Sequence, residues 1–332
     1  MPRRFVALIL LAWSVSSTAT MFAGDHLRVA TLNCEFMLRK SVHVKFGLEL
    51  DRKEWTEAQR VQWDQPGFRD ARFRDAAKAV AAVIKKIDAD VVALCEVGND
   101  TDVAELQREI ATLGLNYPHR AVCHSTDTFT GQHVAVLSKR KLNDINTSIP
   151  GREHYDREPD DADTEDDTGI SKGMSVSFDV ADRPLRLYVT HMASERGGHE
   201  KDEQRIAQAS IVRRNYLPQL LAGDFVIVAG DLNDHPGQPA IRRIRGRDDI
   251  QPDLLNTGDV KYFDSKKLGT RWTYEYQGIR NQLDYILLSE SIPESCRQQG
   301  VKAETVEVTE TIAGTEFLAT DHRAFVVRLD FK

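Results

Sequence analysis

Apolar residues recur along this chain in two rhythms. Between residues 69 and 88, Phe73, Ala77, Val80, Ile84 and Ile87 stand three or four apart, which aligns them on one face of a helix. Immediately afterwards "DVVALCEV" (90–97) is an almost unbroken apolar run, as a strand covered on both faces requires. The alternation continues downstream. Strands are predicted at 27–36 ("LRVATLNCEF"), 133–139 ("HVAVLSK"), 225–230 ("FVIVAG"), 284–289 ("DYILLS") and 324–331 ("AFVVRLDF"), and helices at 101–113 and 199–221. "GMSVSFDV" and "RPLRLYVTHM" flank Ala181-Asp182 and read as a hairpin. The polar, Trp-containing stretch up to Gly67 predicts no regular element. Residues 152–168 are strongly acidic with almost no apolar side chains, and read as an exposed loop. Such alternation alone suggests a layered α/β protein built on a doubly wound parallel sheet. No Gly/Ser/Pro linker or fixed-length repeat divides the chain.

Composition changes this picture only at the N-terminus. With 332 residues, 41% hydrophobic and 29% charged, the chain has the make-up of an ordinary globule with a sizeable core. Arg3 and Arg4, the apolar run Phe5 to Val15 and the small residues Ser17 and Ala19 form a secretory leader, placed at 1–19, too short for a comfortable span. The expectation is a secreted or periplasmic monomer with no membrane insertion and one catalytic domain over 20–332. The formal charge of −7 becomes −9 once Arg3 and Arg4 are removed, so nothing attracts nucleic acid in bulk. Cys34, Cys95, Cys123 and Cys296 are scattered without a CxxC pair, which excludes a finger-type zinc site.

The candidate chemistry lies where apolar runs stop. Asn33 and Glu35 end the first strand, Glu96 the second and His191 the "LRLYVT" run. Asp231 and Asn233 follow "FVIVAG"; Asp284 opens "YILLS"; Asp321 and His322 precede "AFVV". Each alone has an ordinary reading as a turn former, a cap or a half-buried imidazole. Together they describe one edge of a sheet, where α/β proteins hold ligands. Carboxylate and amide oxygens suit Mg²⁺ or Mn²⁺ rather than zinc. Attack of water at an anionic phosphate ester needs charge neutralised and the water deprotonated, and these side chains supply both.

"TLNCE", "LCEV", "THMAS", "GDLND-P", "QLDYILLS" and "TDHRAFVV", in this order over residues 28 to 331, resemble the motifs of the endonuclease/exonuclease/phosphatase superfamily. The resemblance implies a four-layer α/β sandwich, two mainly antiparallel sheets face to face with helices outside, in place of the parallel sheet. It implies that Glu96 binds metal with Asn33, Glu35 and Asp321, and that Asp231 orients or deprotonates the attacking water. Asn233 would support the pentavalent phosphoryl group, His191 and His322 would contact phosphate or assist the leaving oxygen, and Asp284 would hold His322 cationic. The substrate implied is nucleic acid or another phosphodiester. A phosphatase or a sphingomyelinase-like or inositol-directed lipid phosphodiesterase is the alternative on the same fold, and a catalytically silent binding module the second. Arg196 and Arg205 read either as phosphate contacts or as surface ion pairs. Trp272, Tyr274 and Tyr276 share one strand face and read as sheet packing, with base stacking as the alternative.

Overall fold

The computed structural model describes residues 26–157, 165–247 and 252–332. The leader at 1–19 lies outside them, as does the middle of the acidic segment. In chain order the first half contains β1 (His26–Met37), α1 (Glu57–Trp63), α2 (Phe68–Ile87), β2 (Val91–Val97), α3 (Asp100–Thr112), β3 (His119–Val122), β4 (His133–Ser138), β5 (Ile145–Asn146), β6 (Glu153–Asp156) and β7 (Glu165–Thr168). β8 (Gly173–Val180), β9 (Arg183–Thr190), α4 (Gly198–Leu221), β10 (Phe225–Asp231), α5 (Pro239–Arg245) and β11 (Leu254–Asn256) follow. Last come β12 (Tyr274–Tyr276), β13 (Ile279–Asn281), β14 (Asp284–Ser289), α6 (Ser291–Ser295), β15 (Cys296–Val306) and β16 (Ala324–Phe331).

Two six-stranded sheets result, ordered β15-β16-β1-β2-β4-β3 and β11-β14-β10-β9-β8-β5. Leu27, Val29, Phe325 and Val327 of one sheet meet Phe178, Leu187, Ile227 and Ile286 of the other in a shared apolar layer. The outer face of the first sheet packs on α2 and α3 through Phe73, Val80, Ile84 and Leu106. That of the second packs on α4 and α5 through Ile211, Tyr216 and Ile241. β2 shows why its sequence is continuously apolar. Val91, Ala93 and Cys95 enter the layer between the sheets, and Val92 and Leu94 enter the one beneath the helices.

This is the four-layer sandwich, and the doubly wound parallel sheet suggested by alternation is overturned. Each sheet holds one parallel pair, β1 with β2 and β9 with β10; the remaining pairings are antiparallel. Ala181 and Asp182 turn the β8–β9 hairpin with φ of 47° and 57°, the paired left-handed conformation of a type I′ turn. The stretch before Gly67 forms two 3₁₀ turns and α1. They are held by His43, Trp55 and Trp63, whose rings meet edge to face at 4.7 to 5.9 Å.

The acidic segment also departs from expectation. Its flanks pair as the β6–β7 hairpin, with Tyr155 buried and ion pairs from Arg214 to Glu153 and from Arg157 to Glu200 tying it to α4. Ion pairs of both polarities with a neighbouring helix hold a segment whose own composition gives no reason to fold. All four cysteines are buried free thiols. Among the described residues no helix is long and apolar enough to cross a membrane.

Candidate active site

The C-terminal ends of the two parallel pairs face each other across the sandwich, and their polar residues surround one cavity of about 370 Å³. Glu35, Glu96, His191, Asp231, Asn233, Asp321 and His322 line it. Asn33 and Asp284 stand behind this lining and orient it.

The first wall grows from β1 and β2. Asn33 Nδ2 donates to Glu96 Oε1 at 3.2 Å and to Asp231 Oδ2 at 2.9 Å, so one amide joins carboxylates from both sheets. Its Oδ1 accepts the Glu35 N–H at 2.9 Å, and Glu96 Oε2 accepts the Phe36 N–H at 3.0 Å. Glu35, Phe36 and Glu96 have φ of 44°, 50° and 57°, left-handed values uncommon for such side chains. The strand ends bulge to point side chains into the cavity, and local hydrogen bonds hold the strain.

Lys45 lies beneath this bulge with no exposed side-chain surface. Its Nζ donates to the carbonyls of Cys34 (2.9 Å), Glu35 (2.9 Å) and Ala319 (2.6 Å) and reaches Glu35 Oε2 at 3.4 Å. It thereby clamps β1 to the loop carrying Thr320 and Asp321. Thr320 Oγ1 completes the join by donating to the Asn33 carbonyl at 2.7 Å. Burial pushes the Glu35 carboxyl up to about 7, opposed by Lys45 and reinforced by Asp321 and Glu96. Glu35, Glu96 and Asp321 form an oxygen-rich donor set of the kind a hard divalent cation takes, so the residues present fit such an ion.

The second wall is drier. His322 Nδ1 and Asp284 Oδ2 are 2.7 Å apart, both buried. Burial alone would discharge the imidazole; Asp284, through charge and hydrogen bond, with Asp321 and Asp231, raises its pKa well above 6.5. His191 is the reverse case. Burial, then the charges of Lys172 and His322, drive it well below 6.5, and its Nε2 sits 3.9 Å from both Glu96 Oε1 and Asp231 Oδ2. Asp231 is pushed to about 7 by burial and by Asp284, against His322 and the hydrogen bonds from Asn33 and the Asn233 N–H. Gly230, just before it, has φ of 133°, and a Cβ there would lie 2.0 Å from the Thr190 carbonyl oxygen. Only glycine lets β9 and β10 close at this point.

Asp231, Asp284 and His322 bring one potential ligand atom each within 4.8 Å of one another. The 2.7 Å Asp284–His322 contact accounts for two of the three, and a cation there would compete with the imidazolium. The first wall offers the more exposed carboxylate oxygens. A larger groove of about 1220 Å³, beside Arg28, Lys302 and Arg328 on the far edge of the first sheet, contains none of the strand-end groups.

Sequence reasoning missed Lys45 and Lys172, single lysines in unassigned stretches whose placement depends on distant partners. It misread Tyr274. That ring stacks on His322 with centroids 4.7 Å apart, paired through an isolated β-bridge, instead of packing a sheet. Arg205 is buried and donates to the carbonyls of Ser194 (2.9 Å) and Ala193 (3.4 Å), which leaves Arg196 as the arginine lining the cavity.

The sequence matches the Endonuclease/Exonuclease/phosphatase family over residues 31–322. No significant match was found among curated protein sequences. The fold is similar to that of truncated TDP2 from Caenorhabditis elegans, with a TM-score of 0.55 and 16% identity over 92% of this chain and 98% of that one. It is also similar to beta toxin from Staphylococcus aureus, with a TM-score of 0.54 and 14% identity over 91% and 99%; a variant of that toxin was solved with bound magnesium ions. An endonuclease/exonuclease/phosphatase family protein from Bacteroides thetaiotaomicron has a TM-score of 0.54 and 13% identity over 94% and 100%.

Proposed function

The chain belongs to the Endonuclease/Exonuclease/phosphatase family, and on that footing we propose that it is an exported, divalent-metal-dependent phosphodiesterase acting on nucleic acid. One observation carries the reading. Polar ends of strands from two sheets, remote in sequence, line a single cavity in which one wall is rich in carboxylate oxygen and the other holds a buried Asp–His pair.

In this reading Glu96, Glu35 and Asp321 hold Mg²⁺ or Mn²⁺, with Asn33 fixing Glu96 from behind. The bound magnesium of the Staphylococcus aureus beta toxin variant supports the choice of ion. A divalent ion there supplies charge neutralisation at a phosphoryl oxygen. Asp231, with a carboxyl near 7, orients the attacking water and takes its proton. His322, kept cationic by Asp284, faces the phosphate as a charged donor. His191 stays neutral, so its Nε2 can donate to or accept from an oxygen standing between Glu96 and Asp231. Asn233 has a left-handed φ of 52° and donates to the Met192 carbonyl at 3.2 Å, which fixes its amide at the cavity wall.

Incubation of the purified protein with plasmid DNA, RNA, sphingomyelin vesicles and phosphomonoesters, with Mg²⁺ or with EDTA, tests the proposal. DNA or RNA should be cleaved only with the metal. Hydrolysis of the lipid or the monoester alone would move the chain to another branch of its family. Export predicts a mature N-terminus near residue 20, read by N-terminal sequencing.

A further inference from the structure

A second cavity of about 570 Å³ opens beside the first, between the start of α4, the loop after β10 and the β12–β13 hairpin. Glu195, Arg196 and Tyr274 line both, so the two are contiguous. Its shared wall is fixed by a buried anchor. Arg205 holds the carbonyls of Ser194 and Ala193, pairs with Asp202, and keeps Nε without a partner, 4.0 Å from Asp234 Oδ2. His235 Nδ1 is likewise buried and unpartnered. Arg196, carried by the anchored loop, lies over the Tyr276 ring at 5.6 Å. Tyr276 itself is 52% exposed at the cavity mouth.

Resting on the phosphodiesterase reading, we propose that this second cavity receives the nucleoside arm of the substrate, on the side of the scissile phosphate away from the leaving group. The lining decides the class of arm. Four carboxylates, two imidazoles and two guanidinium groups surround it, and Ile206, Pro239, Tyr274 and Tyr276 add apolar surface between them. An acyl chain would strip water from these charges without replacing it. A further phosphate would face the carboxylates. A neutral group with donors and acceptors on several edges and a flat face satisfies both the polar lining and the exposed tyrosine, and a sugar with its base is such a group. The volume falls in the range of small-molecule sites.

Three p-nitrophenyl phosphodiesters with one leaving group and different arms test this: methyl, thymidine-5′ and choline. Gln238→Trp is the blocking variant. Gln238 is an exposed lining residue at the start of α5 whose side chain makes no capping hydrogen bond, so a larger side chain there can fill the cavity without entering the core. The wild type should hydrolyse the thymidine diester with kcat/KM at least about 10-fold above the methyl diester. The variant should lose that preference through KM and leave the methyl diester unchanged. An equal preference in both proteins overturns the subsite, and preference for the choline diester replaces the nucleoside by a cationic headgroup. Calorimetry with thymidine 5′-monophosphate and inorganic phosphate gives a readout free of turnover. Tighter binding of the nucleotide by the wild type but not by Gln238→Trp supports the cavity even if no diester is cleaved, an outcome that would instead remove the proposed activity. Equal binding of nucleotide and phosphate by the wild type contradicts the subsite.

Discussion

The wall built on β1 and β2 with Asp321, and the wall built on β9, β10 and β14 with His322, start from the same feature, the end of a parallel strand pair. They differ in how far their charged groups stand from solvent. On the first, the side chains of Glu96, Glu35 and Asp321 are 15%, 28% and 48% exposed, open enough for an ion to keep waters as well as protein ligands. On the second, His191, Asp231 and Asp284 are 5%, 3% and 0% exposed. There, burial and neighbouring charge separate the two imidazoles to opposite sides of 6.5, while burial lifts one carboxyl to about 7 on each wall, Glu35 on the first and Asp231 on the second. Groups whose environments drive their pKa values apart are suited to dividing acid and base work. The lesson is that one topology supplies a place for charge and a place for protons, and that depth below the surface decides which is which.

Breaking the dry wall should have the largest effect on turnover. Asp231→Ala and His322→Ala should each lower kcat/KM by about 10²-fold or more, the size expected for a lost general base or charge stabiliser, with circular dichroism unchanged. Near-normal rates in both would remove these residues from the chemistry. Lys45→Met attacks the other wall from below. It leaves three buried carbonyls without their donor and should cost about 3 kcal/mol in urea unfolding. It should also weaken the stabilisation given by added Mg²⁺, because Glu35 loses its tether. A loss of stability with an unchanged Mg²⁺ response would make Lys45 structural only.

Asp284→Asn sharpens the comparison more gently. The imidazolium of His322 gains its partner on folding, so its pKa rises above the unfolded 6.5. The stability it contributes is fully present below 6.5 and is lost as pH climbs through the folded value. Removing Asp284's charge should return the His322 titration toward 6.5 in NMR spectra and flatten that alkaline decline; a titration that stays high would assign the shift elsewhere. The smallest effect belongs to a site outside both walls. Arg120→Ala breaks an ion pair with Asp100 that is largely open to solvent and should change stability by less than about 1 kcal/mol, with turnover untouched.

The strand-end residues were legible because each terminates an apolar run, and the run, the break and the side chain are all local. Helices α2, α3 and α4 were legible from their spacing to within a residue or so at each end. Beyond the β8–β9 hairpin the pairing of strands was not, because β1 meets β16 and Asn33 meets Asp231 across most of the chain. β15 escaped notice for a different reason. As an edge strand it buries little beyond Cys296, Gly300 and Ala303, so its sequence reads as polar. Tyr274 carried a strand-like pattern, but only the fold shows that its ring lies on His322. Lys45 carried no pattern at all. A buried cation is fixed by the carbonyls around it, and those come from residues 34, 35 and 319.

The division of labour between the walls is tested most directly by the Mg²⁺ concentration giving half-maximal hydrolysis of thymidine 5′-(p-nitrophenyl phosphate), measured for the wild type, Glu96→Gln and Asp231→Asn. Glu96→Gln should raise that midpoint about 10-fold or more and recover most of its rate at high Mg²⁺. Asp231→Asn should keep the midpoint and lose the ceiling. A wild-type rate indifferent to EDTA, or two variants displaced in the same way, would contradict the account.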